Sequence, residues 1–451
     1  MADSNFLTEH NARHVWHPMA HPAEMRANPP TIISAGEGAE IIDIDGKRLL
    51  DGVGGLWNVN LGYSCDPVKQ AITAQLGELP YYSAFRGTTN GPLIELSVAL
   101  AEFFAADGMV RSFFTSGGSD SVETALRLAR QFHKLNGQPE RTKFVSLKKG
   151  YHGTHFGGAS INGNQNFRRA YEPLLPGTIH LASPYTYRNQ FNTDDPKVLA
   201  DSIARQFADE IAFHGADTIA ALIMEPVLGA GGVIVPHESL MPALRALCDK
   251  HGILLIADEV ITAFGRTGAW SGSRLWGVKP DMMCTAKAIT NGYFPFGAVM
   301  IGEKVTEVFE NDRTAMGSIG HGYTYSGHPV GAAAAIVCLA ETVKQDLATN
   351  AAERGIELLA GLETLKARYP LVGDVRGKGL MCALELVANR DDKAPAAKDK
   401  VAQVYKGAYE AGVMIRTSGN NIILSPTLII SKQDVSRILE GLEAGLKSAA
   451  N

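Results

Sequence analysis
Short apolar runs alternate with stretches of helical period through the middle of the chain. Arg111–Thr115, Lys143–Leu147, Thr178–Ala182, Thr218–Met224 and 254–257 are brief segments bounded by Gly, Pro and polar residues. They predict strands, and the fully apolar ones predict buried strands. Between them, Leu93–Phe104, Asp120–Asn136, Asp201–Phe213 and Pro242–His251 carry a helical period. In the second of these, Val122, Ala125, Leu126, Ala129 and Phe132 fall on one face. Gly137, Gly215 and Gly252 stand where three of the helices should stop. Met282–Cys284 and Gly297–Ile301 add two more strands. This alternation predicts an α/β fold, a mostly parallel sheet with helices on both faces.

The flanks have a different texture. Residues 1–30 read as irregular, an extended arm that packs on a partner subunit. His10, His14, His17 and His21 invite a metal reading, but Pro18 and Pro22 break any helix that would align them. Ala39–Asp51 alternates around Asp45-Gly46 and predicts a hairpin. A glycine-rich stretch follows, with Trp57 at its centre. Beyond residue 330 come an alanine-rich helix (Val330–Gln345), a second helix (Ala351–Arg368), short strands at Gly373–Val375 and Leu380–Val387, and a charged, exposed loop (Ala388–Lys400). Strands at Val413–Arg416 and Asn421–Leu424 precede a last helix, Lys432–Lys447. The expected organisation is an arm and part of a small domain (1–60), a large domain (61–329) and a smaller α+β C-terminal domain (330–451).

Composition narrows the function classes. A chain of 451 residues has room for two or three domains. Its 45% hydrophobic and 20% charged residues are ordinary for a globular protein. The net charge of −5 and the lack of a basic block argue against nucleic acid as the main partner. The polar start argues against a signal peptide. No apolar run approaches the roughly 20 residues of a membrane helix. Five widely spaced cysteines without a CxxC pair read as reduced thiols, so the expected location is cytoplasmic.

Chemistry concentrates at strand ends. The run 254–257 leads into Asp258-Glu259, and Met282–Cys284 leads through Thr285-Ala286 to Lys287. In open α/β sheets, ligands bind just beyond such ends. A carboxylate after four apolar residues is costly to bury unless paired, and a protonated pyridine nitrogen is such a partner. Lys287 would then form a Schiff base with an aldehyde cofactor, although a solvated lysine at a strand end is the plainer alternative. The turn Thr115–Asp120, with Gly117 and Gly118, brings free N–H groups to a helix start and suits a phosphate; tight turns of this composition also occur without one. Tyr151 follows a strand and can stack on a planar ring or be an ordinary loop aromatic. Glu225 also follows a strand. Thr324 or Ser326, in an aromatic- and glycine-rich stretch, can bind phosphate. Arg416 can grip a substrate carboxylate or make a structural ion pair.

With these motifs in order, the chain resembles the class III, subgroup II aminotransferases that use pyridoxal 5′-phosphate, and within them the ω-amino acid and amine:pyruvate transaminases. The stretch from Leu254 to Met300 carries the most specific part of the resemblance, which covers nearly the whole chain. It implies fold type I: a mostly parallel, seven-stranded sheet flanked by helices, plus a smaller α+β domain. It implies that Lys287 holds the cofactor aldehyde and moves the proton. Asp258 pairs with the ring nitrogen, Tyr151 and Val260 cover the two ring faces, Gly118 and Ser119 hold the phosphate, and Glu225 supports the ring hydroxyl. Thr324 reaches the phosphate of the other subunit in a homodimer with shared active sites, which can pair further into a tetramer. Trp57 lines the substrate pocket, Phe85 joins it from across the interface, and Arg416 binds a carboxylate or swings away. Met19, Tyr82 and Ile261 complete an apolar pocket. The implied reaction moves an amino group from a primary amine or ω-amino acid (putrescine, β-alanine, 4-aminobutyrate) to pyruvate. An aminomutase, a decarboxylase or a non-catalytic cofactor-binding protein are the rival readings. One departure stands out: the family's usual T-N-S-G-S-E-A turn is Thr115-Ser-Gly-Gly-Ser-Asp-Ser121 here, with one hydroxyl fewer at Gly117.

Overall fold
The computed structural model describes residues 3–450. Strands β1 (Ile33–Glu37), β2 (Glu40–Asp43) and β3 (Arg48–Asp51) form an antiparallel meander near the N-terminus. The large sheet contains β4 (Met109–Thr115), β5 (Lys143–Leu147), β6 (Thr178–Leu181), β7 (Ile219–Met224), β8 (Leu254–Asp258), β9 (Met282–Thr285) and β10 (Gly297–Gly302). Their order across the sheet is β4-β10-β9-β8-β7-β5-β6. All neighbours are parallel except β10, which runs antiparallel to β4 and β9. The C-terminal sheet orders β11 (Val372–Lys378), β12 (Met381–Leu386), β15 (Asn421–Leu424) and β14 (Arg416–Ser418), while β13 (Val413–Met414) joins the meander beside β3.

The central strands β7, β8 and β9 are buried along their whole length. Helices cover both faces, and this is why these strands read as unbroken apolar runs rather than alternating ones. The helix Gly118–Leu135 buries Val122, Ala125, Leu126, Ala129 and Phe132 against one face of the sheet. A larger apolar cluster, with Leu96, Leu100, Leu222, Leu255 and Met300, fills the other face. A third cluster lies under the C-terminal sheet. The antiparallel β10 matters for the site. Its first residue, Gly297, lies opposite Thr115 at the end of β4, so the chain entering β10 arrives at the edge where the parallel strands finish.

Several expectations change. Residues 4–14 are not irregular: Ser4–His14 is a helix, and Pro22–Ala27 is another. The Asp3 side chain accepts from Phe6 N–H at 2.7 Å and caps the first. Pro18 lies beyond that helix, and Pro22 opens the second, where a missing N–H costs nothing. The helix expected from Asp201 begins at Pro196, with Asp195 accepting from Lys197 N–H at 2.8 Å. Asp66–Glu78 and Glu303–Asn311 are further helices. The single strand expected over Val413–Arg416 is broken at Ile415. Its two halves serve different sheets, Val413–Met414 pairing with β3 and Arg416–Ser418 with β15. Arg416 therefore opens a hairpin strand instead of ending one.

Candidate active site
At the edge where β8 and β9 end lies a cavity of about 370 Å³. Gly118, Ser119, Tyr151, Glu225, Asp258, Val260 and Lys287 all line it. These residues are spread over 170 positions of chain, and the parallel strands bring them together because each leaves its strand at the same edge.

Asp258 is the last residue of β8 and is 4% exposed. One oxygen, Oδ2, lies 2.8 Å from His152 Nδ1. A carboxylate only accepts, so His152 Nδ1–H donates. His152 Nε2 is buried with no hydrogen-bond partner among the described residues. Glu225 is also 4% exposed. It accepts from Tyr151 N–H at 2.9 Å and from Gly229 N–H at 2.8 Å. Burial pushes its pKa up to about 7, with the Asp258 charge adding to the rise and His152 opposing it. Lys287 follows β9 with φ of 51°, left-handed for a non-glycine residue and a conformation that surrounding structure must enforce. Desolvation brings its pKa down to about 8, against the pull of Asp258 and Glu225, and the nearby Arg416 charge adds to the fall.

The far end of the cavity is the start of helix Gly118–Leu135. No side chain caps it, so its first N–H groups face the cavity with the positive end of the helix. Ser119 Oγ accepts from Thr154 N–H at 3.2 Å. Gly118 is needed for close approach: a Cβ there would meet Val260 Cγ1 at 2.9 Å. Phe294, Pro295 and Phe296 form another wall, on the segment that enters β10.

The remaining expected site residues lie elsewhere. Trp57 does not line the cavity. It is 2% exposed and packs in a small cluster with Ile261, Val227 and Met381, and Ile261 is the member that reaches the cavity wall. The Trp57 turn is built by Asp51, whose carboxylate accepts from the N–H groups of Val53, Gly54 and Gly55 at 2.9, 3.0 and 2.7 Å. Phe85 is half exposed and lines a separate cavity of about 650 Å³ with Phe113 and His321. Thr324 is exposed, and its carbonyl accepts from Tyr81 O–H at 2.7 Å. Met19 and Tyr82 are exposed too. Arg416 is half-buried and has no salt bridge among the described residues. Its charge acts on both Lys287 and Tyr151. His152 was not singled out in the sequence; its only signal was its place next to Tyr151 after a strand. Phe294–Phe296 lie within the Leu254–Met300 stretch that carries the resemblance, which implies no role for them individually.

The family model for aminotransferase class-III matches residues 22–446. The chain belongs to that family. An amine transaminase from an uncultivated Pseudomonas species, solved in its PLP-bound form, is 47% identical with a TM-score of 0.95, covering 96% of this chain and 98% of that one. A thermostable (S)-enantioselective omega-transaminase from Thermomicrobium roseum is 37% identical with a TM-score of 0.96, and each chain is covered in full. Putrescine–pyruvate aminotransferase of Pseudomonas aeruginosa is 37% identical over 417 residues, 90% of this chain and 88% of that protein. The fold is that of the fold type I transaminases, and this class-III aminotransferase is a pyridoxal-phosphate-dependent transaminase.

The residues present fit that cofactor. The uncapped helix start suits its phosphate. The paired, buried Asp258 suits a ring N–H. A lysine whose amine loses its proton near pH 8 suits an aldehyde.

Proposed function
We propose that this aminotransferase moves an amino group from a primary amine or ω-amino acid to pyruvate, giving alanine and an aldehyde or ketone. Putrescine, β-alanine and 4-aminobutyrate are the donor types in view. The observation that carries this reading is Arg416: a half-buried cation without an ion-pair partner among the described residues, close enough to Lys287 to lower its pKa. A keto acid's carboxylate supplies the missing partner, while the apolar walls at Ile261, Phe294 and Phe296 suit the methylene carbons of the donor.

In this reading Gly118 and Ser119 hold the phosphate, Tyr151 and Val260 flank the ring, and Glu225 and Asp258 fix its polar edge. Bound there, pyridoxal phosphate supplies an aldehyde to hold the amine and a ring to accept the electron pair left when a proton departs. Lys287 Nζ takes that proton from the amine-bearing carbon and returns it, a general acid–base role suited to a pKa near 8. Asp258 keeps its carboxylate oriented through His152. Trp57 shapes the substrate side through Ile261.

The active form in this reading is a homodimer. Phe85, Ile319 and Tyr325 are 50%, 42% and 59% exposed, an apolar surface that a second copy would cover. Thr324 and Phe85 lie outside their own cavity, which fits delivery to the partner's site. A panel of amines, each offered with pyruvate and scored by alanine formed, tests the assignment. Alanine should form with at least one ω-amine. Absence of alanine with every donor, in protein that carries its cofactor, would overturn it.

A further inference from the structure
Arg376, on β11, stands where the large domain meets the C-terminal sheet. Its side chain is only 11% exposed. Its guanidinium is shared among four segments: its own strand, β12, β15 and the loop at Gly232. Nη1 lies 2.7 Å from Asp374 Oδ2 on its own strand and 3.6 Å from Glu385 Oε2 on β12. Nε donates to the carbonyl of Gly232 at 2.7 Å. Nη2 donates to Asn421 Oδ1. The Tyr185 ring lies 4.7 Å from the guanidinium carbon, and its hydroxyl donates to Glu385. Arg188 Nε holds the other Glu385 oxygen at 2.8 Å.

Two of these bonds lead back to the active site by different routes. Gly232 ends the glycine loop that begins at Gly229, and Gly229 N–H donates to Glu225 at 2.8 Å. The other Glu225 oxygen holds Tyr151 N–H. A Cβ at Gly232 would meet Arg376 Nη2 at 2.9 Å, so only glycine lets the guanidinium come this close. On the other route, Asn421 opens β15 opposite Ser418 of β14 and donates to the Ser418 carbonyl at 3.2 Å. Arg416 is two residues before Ser418, on the same strand.

We propose that Arg376 is a positioning residue for keto-acid recognition: it locks the β14–β15 hairpin, and so Arg416, to the loop that supports Glu225 and Tyr151. A planar guanidinium suits this task because its fixed donors can serve carbonyl, amide and carboxylate partners at once. The proposal rests on the reading of Arg416 as the carboxylate's partner. A merely structural Arg376 would affect all substrates alike. A positioning Arg376 affects acceptors that carry a carboxylate and spares those that do not.

The test uses the cofactor-loaded enzyme with one amine donor and two acceptors, pyruvate and a straight-chain aliphatic aldehyde. Arg376→Gln and Asn421→Ala should each raise the pyruvate KM about ten-fold, equivalent to about 1.4 kcal/mol of binding. The aldehyde KM should not follow. Arg376→Lys should recover only part of the loss, because one ammonium cannot reach Gly232, Asn421 and Asp374 together. Equilibrium binding of a non-reacting carboxylate, read from the cofactor's absorbance, should weaken in parallel. If Arg376→Gln fails to fold, Asn421→Ala decides, since it removes only the hairpin end of the lock. Equal rises for both acceptors would overturn the proposal. So would an unchanged pyruvate KM in Asn421→Ala when Arg416→Ala raises it. An Arg416→Ala variant with normal pyruvate KM would instead overturn the reading of Arg416, and the positioning role with it.

Discussion

His152 Nδ1 donates to Asp258 Oδ2 across 2.8 Å, and neither residue is more than 4% exposed. The two are 106 positions apart. The contact fixes the direction of the Asp258 carboxylate and leaves its other oxygen with a weak bond from Val260 N–H at 3.3 Å. That oxygen is the one left with acceptor capacity to spare. The buried acid is stable there because a donor backs it, as desolvation otherwise makes such a group costly.

Replacing His152 by Ala should therefore lower kcat/KM about ten- to a hundred-fold, the range expected when a hydrogen bond to a buried charge is lost. Lys287 is untouched by the change, so the lysine-linked absorbance should still form. Steady-state kinetics alongside an absorbance spectrum separate the two effects. An unaltered kcat/KM would show that Asp258 needs no partner.

Gly117 offers a gain rather than a loss. It stands before the helix start with φ of 171°, extended backbone that any residue adopts, and a Cβ there meets nothing within 4 Å. Gly117→Ser should fit without strain and add a hydroxyl beside the phosphate turn. Pyridoxal phosphate should bind the apo-protein about three- to ten-fold more tightly, the worth of one ordinary hydrogen bond. Equilibrium titration of the apo-protein measures it. Weaker binding would mean that the turn does not face the phosphate.

Much of this site could be read from the chain because its acids and lysine sit at the ends of continuous apolar runs. Met224-Glu225, Ala257-Asp258 and the approach to Lys287 all carry that signature, which a two-sided sheet imposes. His152 could not be read in the same way, because its partner comes from another strand and only the fold joins them. The break at Ile415 was hidden for a different reason. Val413, Met414 and Ile415 are apolar whichever sheet they serve, so nothing local marks the change of partner. For Trp57 the pocket role is implied by the resemblance and not by any local pattern; in the single chain it packs behind Ile261, which reaches the cavity wall. The helix Ser4–His14 buries no residue, so no apolar period marks it in the chain.

Lys287 predicts a pH dependence. Its folded-state pKa of about 8 lies below the ordinary lysine value of 10.5, so burial opposes the charged form and the neutral amine dominates above about pH 8. Only the neutral amine attacks an aldehyde. The rate at which the apo-protein takes up pyridoxal phosphate should rise with pH and level off above about pH 8. An ordinary lysine would keep rising beyond pH 10. The same shift opposes folding of the apo-protein below pH 8, and that penalty disappears as pH climbs from 8 to 10.5. Lys287→Met should remove this slope in stability between those pH values. Uptake that still climbs beyond pH 10 would place Lys287 in a wetter setting than its neighbours indicate.

Thr324 gives the sharpest test of shared sites. It is exposed in the single chain and does not line its own cavity. If it serves the partner's phosphate, Thr324→Ala should weaken pyridoxal phosphate binding about ten-fold. Lys287→Ala should abolish turnover. Both variants should be poorly active alone when the cofactor is kept scarce. Unfolded and refolded together in equal amounts, they should regain activity. In each mixed dimer one site then carries both losses, and the other carries Lys287 from one chain and Thr324 from its partner. Random pairing of a two-fold dimer makes half the dimers mixed, so about a quarter of the native activity should return. Activity no higher than the average of the two variants alone would place Thr324 within its own subunit's site or outside the reaction.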